Sequence, residues 1–159
     1  MENQARTLLR HALATLSYRG GKTIRDTRES FAKFQIAQGS RTPEQILAHI
    51  GDLFDWALSL AKGKQAWHNS HPLPWLKEIE RFFRVLDKFD RYLASDQPLA
   101  ASPEQLFQGP VADALTHVGQ LAFLRRLAGI PMKGENYFAA KIVVGRVGAE
   151  QAAAVSEFD

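Results

Sequence analysis

The chain has 159 residues, 45% hydrophobic and 10% aromatic, enough to bury one core without covalent staples and in keeping with a single domain over 1–159. It has no cysteine, which excludes disulfides, thiolate metal sites and a cysteine nucleophile; any metal must be held by nitrogen and oxygen. Lys and Arg number 20 against 17 Asp and Glu, a formal charge of +3, and the acids are interleaved with the bases, as in R-D-T-R-E (25–29) and R-V-L-D-K-F-D-R (84–91), the pattern of solvated helix surface rather than of a nucleic-acid-binding face.

The first residues, M-E-N-Q-A-R-T-L-L-R-H-A, lack the apolar run of a signal peptide, and nowhere does an apolar stretch approach the ~20 residues of a membrane span. The expectation is a soluble, cytoplasmic protein without nucleic-acid or membrane partners. Residues 4–25 predict a helix with Leu9, Leu13, Leu16 and Ile24 on one side. Gly20-Gly21 either breaks that helix or admits a close neighbour. Between 26 and 42 the pattern is that of a long loop, with Phe31 and Phe34 docking under the domain.

Thr42, Pro43 and Gln45 then supply an N-cap, a first-turn proline and a capping box for a helix that ends near Gly63. Its apolar face carries Ile46, Leu53, Trp56 and Leu60, and the polar residue at the centre of that face is His49. W-H-N-S-H-P-L-P (67–74) is a loop, and His68 and His71 are read as loop residues that nothing rigid holds. From about 74 to 96 the spacing of Leu76, Ile79, Phe83, Leu86 and Leu93 predicts an amphipathic helix, with Glu80–Arg84 and Asp87–Arg91 as surface pairs. Phe82 and Phe89 flank that stripe and suggest a homodimer surface.

S-P-E-Q (102–105) repeats the earlier start signal as a lead-in turn over 103–108. Gly109-Pro110 interrupts it, and a main helix follows from about 110 to 128, stopped by Gly129 and Pro131. E-N-Y-F-A-A-K-I-V-V is either a short helix or an extended cover. The Ala-rich, acidic tail from 148 to 159 is expected to be flexible unless ordered against the domain or a partner. Four main helices with one long connection between the first two make an all-α bundle.

Within D-A-L-T-H-V-G-Q-L-A-F-L (113–124), steps of four, three and four residues put Asp113, His117, Gln120 and Leu124 on one stripe. A polar group on a core face must be hydrogen-bonded, paired or bound to a metal, because burying it unsatisfied costs on the order of 1–3 kcal/mol. Two helices each carry a histidine at the centre of an apolar face, and one adds an acid a turn away. The trio is either a hydrogen-bonded network or a site for a divalent metal (zinc, nickel or iron), with positions left open for water or substrate. Gln120 either orients a ligand or bonds backbone in the core. Asp52, one turn after His49, either holds the second nitrogen of that ring or faces solvent. Glu135, Asn136 and Tyr137 could fold over the mouth of the bundle on the substrate side. Trp56, Trp67 and Trp75 are read as core and rim packing.

R-T-P-E-Q-I-L-A-H-I-G-D-L-F-D-W, D-A-L-T-H-V-G-Q-L-A-F-L-R-R-L-A-G and P-M-K-G-E-N-Y-F together resemble the DinB-like (YfiT-like) superfamily of bacterial four-helix-bundle proteins over most of residues 5–145. The family's usual metal triad is a histidine early in the second helix and an H-x-x-x-H pair in the fourth, the latter followed by x-G-Q. His49 matches the first of these and His117, followed by Val118-Gly119-Gln120, the last; Asp113 stands at the middle position in place of histidine. The resemblance implies a metal-dependent enzyme activating a low-molecular-weight thiol for transfer to a small-molecule substrate, and a homodimer. The alternative is a non-catalytic stress-response or binding protein with a vestigial or absent metal site.

Overall fold

Helix α1 spans Glu2–Ile24 in a computed structural model that describes residues 2–159. The remaining long helices are α3 (Pro43–Ala61), α4 (Trp75–Ala94) and α6 (Ala112–Leu127), and the short ones α2 (Glu29–Ala32) and α5 (Pro103–Leu106). The fold is all-α apart from one two-residue strand pair. Helix α1 packs on α4 and α6, and α3 packs on the same two, so that the four long helices enclose one apolar core. Leu13, Leu16, Ile50, Phe54, Leu86 and Leu121 lie at its centre. The long connection over 25–42 docks Phe31 into this core and rests Phe34 against it.

Helix α3 starts where its cap chemistry requires. Gln45 N–H donates to Thr42 Oγ1, and Thr42 N–H donates at 2.9 Å to Gln45 Oε1, so two amides left open at the first turn are satisfied. Helix α6 ends at a glycine in the left-handed region, Gly129, with φ +76°. Two arginines close other helix ends. Arg6 donates to the carbonyls of Leu93, Ser95 and Gln97 after α4, and Arg125 donates to those of Lys22, Thr23 and Arg25 at the end of α1. Arg10 clamps α1 to α4 through both oxygens of Asp90, at 2.9 and 3.0 Å.

Two expectations need correction. The buried face of α4 is rotated from the anticipated stripe: Phe82, Val85, Leu86, Phe89 and Leu93 are in the core, while Leu76 is 70% exposed. Of the anticipated stripe Leu86 and Leu93 are buried, Ile79 and Phe83 pack half-buried against the core, and only Leu76 is left out; the Phe82 and Phe89 rings bury more apolar area than it would, and Gly20 makes room for Phe82. The α1 helix runs unbroken through Gly20-Gly21, and a Cβ at Gly20 would stand 2.6 Å from Phe82 Cζ. Phe82 and Phe89 are therefore core residues, and the homodimer expectation loses the aromatic pair on which it rested. Of the anticipated surface pairs, Asp87–Arg91 forms at 2.8 Å, whereas Glu80 pairs with Lys77.

The second correction concerns Gly109-Pro110, which does not interrupt the chain. Residues Phe107–Val111 form a wide π turn that joins α5 to α6 without a break. Widening relieves the clash of the Pro110 ring with the carbonyl four residues back. The tail takes the ordered alternative, against the domain. Gly134–Glu135 (β1) pairs antiparallel with Glu157–Phe158 (β2), Val147 is buried in the core, and Ser17 and Gln151 both donate to the Gly148 carbonyl. Residues 148–159 are thus laid against α1. No helix among the described residues is long and apolar enough to cross a membrane.

The Phe82 contact yields a paired prediction. Gly20→Ala gains up to about 1 kcal/mol of helix propensity but overpacks a buried ring, at a cost of about 1–3 kcal/mol, so it should lower stability. Gly119→Ala, whose Cβ would meet nothing within 4 Å, should raise it by up to about 1 kcal/mol. Urea unfolding reads both, and equal shifts of the same sign would contradict the packing described.

Candidate metal centre

The α3 capping box sets the phase of the helix so that His49, two turns in, faces α6. Asp113 sits in the first turn of α6 and His117 one turn later. The three meet. One ligating atom from each lies within 4.8 Å of the other two. His49 Nε2 is 3.4 Å from Asp113 Oδ2, His117 Nδ1 is 3.3 Å from Asp113 Oδ1, and the two imidazole centroids are 4.7 Å apart.

Hydrogen bonding assigns the tautomer of His117. Its Nδ1 lies 2.8 Å from the backbone oxygen of Asp113, and a carbonyl can only accept, so Nδ1 carries the proton. In the neutral ring Nε2 is then left with its lone pair, the arrangement in which metal-bound histidines are usually held. Burial pushes the His49 imidazole below its ordinary pKa, with the neighbouring His117 and Arg41 acting in the same sense and Asp113 opposing them. A neutral His49 has a lone pair to give. The 3.4 Å between His49 and Asp113 is long for a hydrogen bond, yet two ligands bound at ~2.1 Å to one tetrahedral ion are also about 3.4 Å apart. Two imidazoles and one carboxyl side chain, the last 45% exposed, are a donor set that fits a divalent cation of the zinc class with an open position.

The other anticipated residues lie differently. Asp52 neither faces solvent nor bonds His49. It is buried, with Arg81 at 2.6 Å, Ser70 Oγ at 2.7 Å, Ser70 N at 2.8 Å and His68 Nε2 at 3.1 Å. Burial alone would raise its pKa, but the bonds from Ser70 and Arg81 outweigh it and hold the carboxyl below its usual range. His68, anticipated as unheld, is thus tied down, and Asp52, Asp55 and His68 form a second cluster of ligand-type side chains. A guanidinium already bonds both acids, so this cluster is an ion-pair network with its positive charge built in. Arg81 also reaches buried Glu78 and the Ala48 carbonyl, and it lies 2.8 Å from where a Cβ on Gly51 would stand.

Gln120 is neither a core residue nor bonded to the histidines; it is exposed on the wall of a cleft beside His117. Glu135, Asn136 and Tyr137 do not reach the centre. Glu135 is buried against α1, accepting from Tyr18 Oη at 2.5 Å and Lys22 Nζ at 2.7 Å, and the Tyr18 phenol is driven up in pKa by burial and by that carboxylate. Asn136 caps a short turn over Tyr137–Ala139, and the Tyr137 ring packs on Tyr18 under the Arg19 guanidinium. Two positive side chains and a phenol draw this segment to α1 and away from the histidines.

Two residues near the centre escaped the sequence reading. Trp67 stands edge-on to His49 with centroids 5.7 Å apart and packs in the same way on Trp56, so it is a cover for the site rather than rim packing. Trp75, by contrast, is core, with its indole N–H on Thr27. Arg41 borders clefts on both sides of the centre. The signal for Arg41 was its place just before the α3 N-cap, two turns from His49; a tryptophan in a proline-rich loop gives little indication of what it covers. No protein-family model, curated protein or solved structure matches the chain.

Two measurements follow from these charges. The folded His49 pKa lies below the unfolded 6.5, so its neutral ring contributes stability that is whole above that pH and is lost as pH falls through the lowered value. Replacing it by glutamine should flatten the fall in urea midpoint between about pH 7.5 and about pH 5.5; an unchanged profile would place the titration elsewhere. Arg81→Met leaves Asp52 and Glu78 buried without their cation and should cost about 3–5 kcal/mol by the same assay, a loss under 1 kcal/mol being inconsistent with the network.

Proposed function

We propose that the chain is a DinB-like four-helix bundle holding one divalent metal (zinc, nickel or iron) on His49, Asp113 and His117. In this reading it is an enzyme that activates a low-molecular-weight thiol for transfer to a small substrate. The observation that carries the reading is the bond from His117 Nδ1 to the Asp113 carbonyl, which turns the Nε2 lone pair of a buried imidazole toward no proton of its own. The sequence resemblance at His49 and at H-x-G-Q adds the family and the thiol chemistry.

Bound there, the cation would supply charge that lowers the pKa of a coordinated thiol, so that a thiolate is present at neutral pH. The chain's own residues set the conditions. Asp113 acts twice: its carbonyl orients the His117 ring, and its carboxylate offsets one positive charge. Burial keeps His49 neutral, and Trp67 shields its edge from water. An apolar cleft of about 360 Å³, lined by His117, Ile46, Phe123 and Leu124, gives an organic substrate a place beside the same imidazole.

One observation favours a non-catalytic binding protein instead. Asp113 lies within 3.4 Å of both imidazoles, so the trio can satisfy itself as a polar network. Calorimetric titration of untagged protein with Zn²⁺ or Ni²⁺ separates the two. Under the metal reading, wild type binds and His117→Ala loses binding with little change in helical circular dichroism. Asp113→His should bind roughly tenfold or more tightly, as a third imidazole replaces a carboxylate shared with two histidines. Uptake by Asp113→His but not by wild type would leave the binding-protein reading and remove thiol activation.

A further inference from the structure

The metal trio lies between two clefts of similar size, and one residue lines both. The apolar cleft of about 360 Å³ includes His117, Ile36, Ile46 and Phe123; the polar one, about 370 Å³, includes His49, Asp52 and Ser70. Arg41 belongs to each and is the one Lys or Arg in either lining. Its guanidinium has no hydrogen bond or ion pair with any other side chain among the described residues. The one acid in either lining, Asp52, is already taken by Arg81 and Ser70. In the apolar cleft Phe123 and Ile36 stay 55% and 50% exposed, hydrocarbon surface beside a charge with no protein partner.

We propose that Arg41 is the anchor of an anion-binding site, and that its ligand is a small monocarboxylate whose hydrocarbon or aryl body lies in the apolar cleft past His117. A guanidinium offers a planar fork that matches a carboxylate in two parallel bonds. A lone arginine balances one negative charge, and neither cleft holds a second lysine or arginine for a phosphate dianion. The polar end is thereby fixed at Arg41, and burial of Phe123 and Ile36 by the body supplies the apolar term. The inference deepens the metal reading, since it names the substrate class for that centre. The anchor Arg41 and the apolar contacts Phe123 and Ile36 are not among the metal ligands, although His117 borders the same cleft.

Calorimetry on the protein as purified, with octanoate and its uncharged counterpart octanamide as probes, tests it. Octanoate should bind at least tenfold more tightly than octanamide. Arg41→Leu should abolish that preference and Arg41→Lys should keep part of it, because the charge survives without the fork. Phe123→Ser should weaken both probes by a similar factor. Equal binding of the two probes by wild type, or a preference that survives Arg41→Leu, would overturn the proposal and leave Arg41 a solvated surface residue. Octyl phosphate binding more tightly than octanoate would overturn the monocarboxylate assignment. Zinc titration of Arg41→Leu keeps the two readings apart. Zinc uptake to the wild-type stoichiometry is expected, and protein that takes no zinc yet prefers octanoate would refute the metal centre while upholding the carboxylate site.

Discussion

The Asp113 carboxylate lies between two imidazoles, 3.4 Å from His49 and 3.3 Å from His117, on the seam where α3 meets α6. Much of the surrounding structure serves that meeting. Each residue advances an α-helix by about 100°, so the wide turn at Phe107–Val111 sets the face that the whole of α6 presents. The capping box at Thr42 sets the face of α3 in the same way. Were either phase shifted by one residue, His49 and His117 would turn away from each other.

A second layer of charge holds the cover of the site. Residues 67–70 carry Trp67 over His49, and this stretch is tied down by His68 and Ser70 on Asp52. Asp52 is in turn held by Arg81, which spans from α4 to α3 and reaches Glu78 and the Ala48 carbonyl. A buried network of this kind contributes little net stability against an apolar replacement of equal volume, but it constrains geometry, because each carboxylate oxygen has a designated donor. The aromatic wall beside His49 is thus positioned by an ion pair one turn further along α3.

Much of this was legible in the residues. T-P-E-Q and S-P-E-Q start helices because the side chains that satisfy the first amides are written three residues apart, and both boxes form. Asp113 and His117 share a face because four residues are close to one helical turn. His49 could be matched to them since both histidines interrupt apolar stripes that must face the same core. What could not be read were choices decided across the fold. The face of α4 depends on Gly20 of α1 admitting Phe82, and Asp52 is buried only because Arg81 arrives from another helix. Glu135 is drawn from the site by Tyr18 and Lys22, more than a hundred residues away in sequence. Local periodicity carries none of these pairings.

X-ray absorption at the metal edge of untagged, zinc- or nickel-loaded protein tests the central claim most directly, because it reads the ligands of the ion rather than the fact of binding. The proposed metal centre predicts a first shell of nitrogen and oxygen at about 2.0–2.2 Å with the outer-ring scattering of two imidazoles, reduced to that of one in His49→Gln. A shell of oxygen alone, or two-imidazole scattering that persists in His49→Gln, would put the ion elsewhere and leave His49, Asp113 and His117 as a hydrogen-bonded trio.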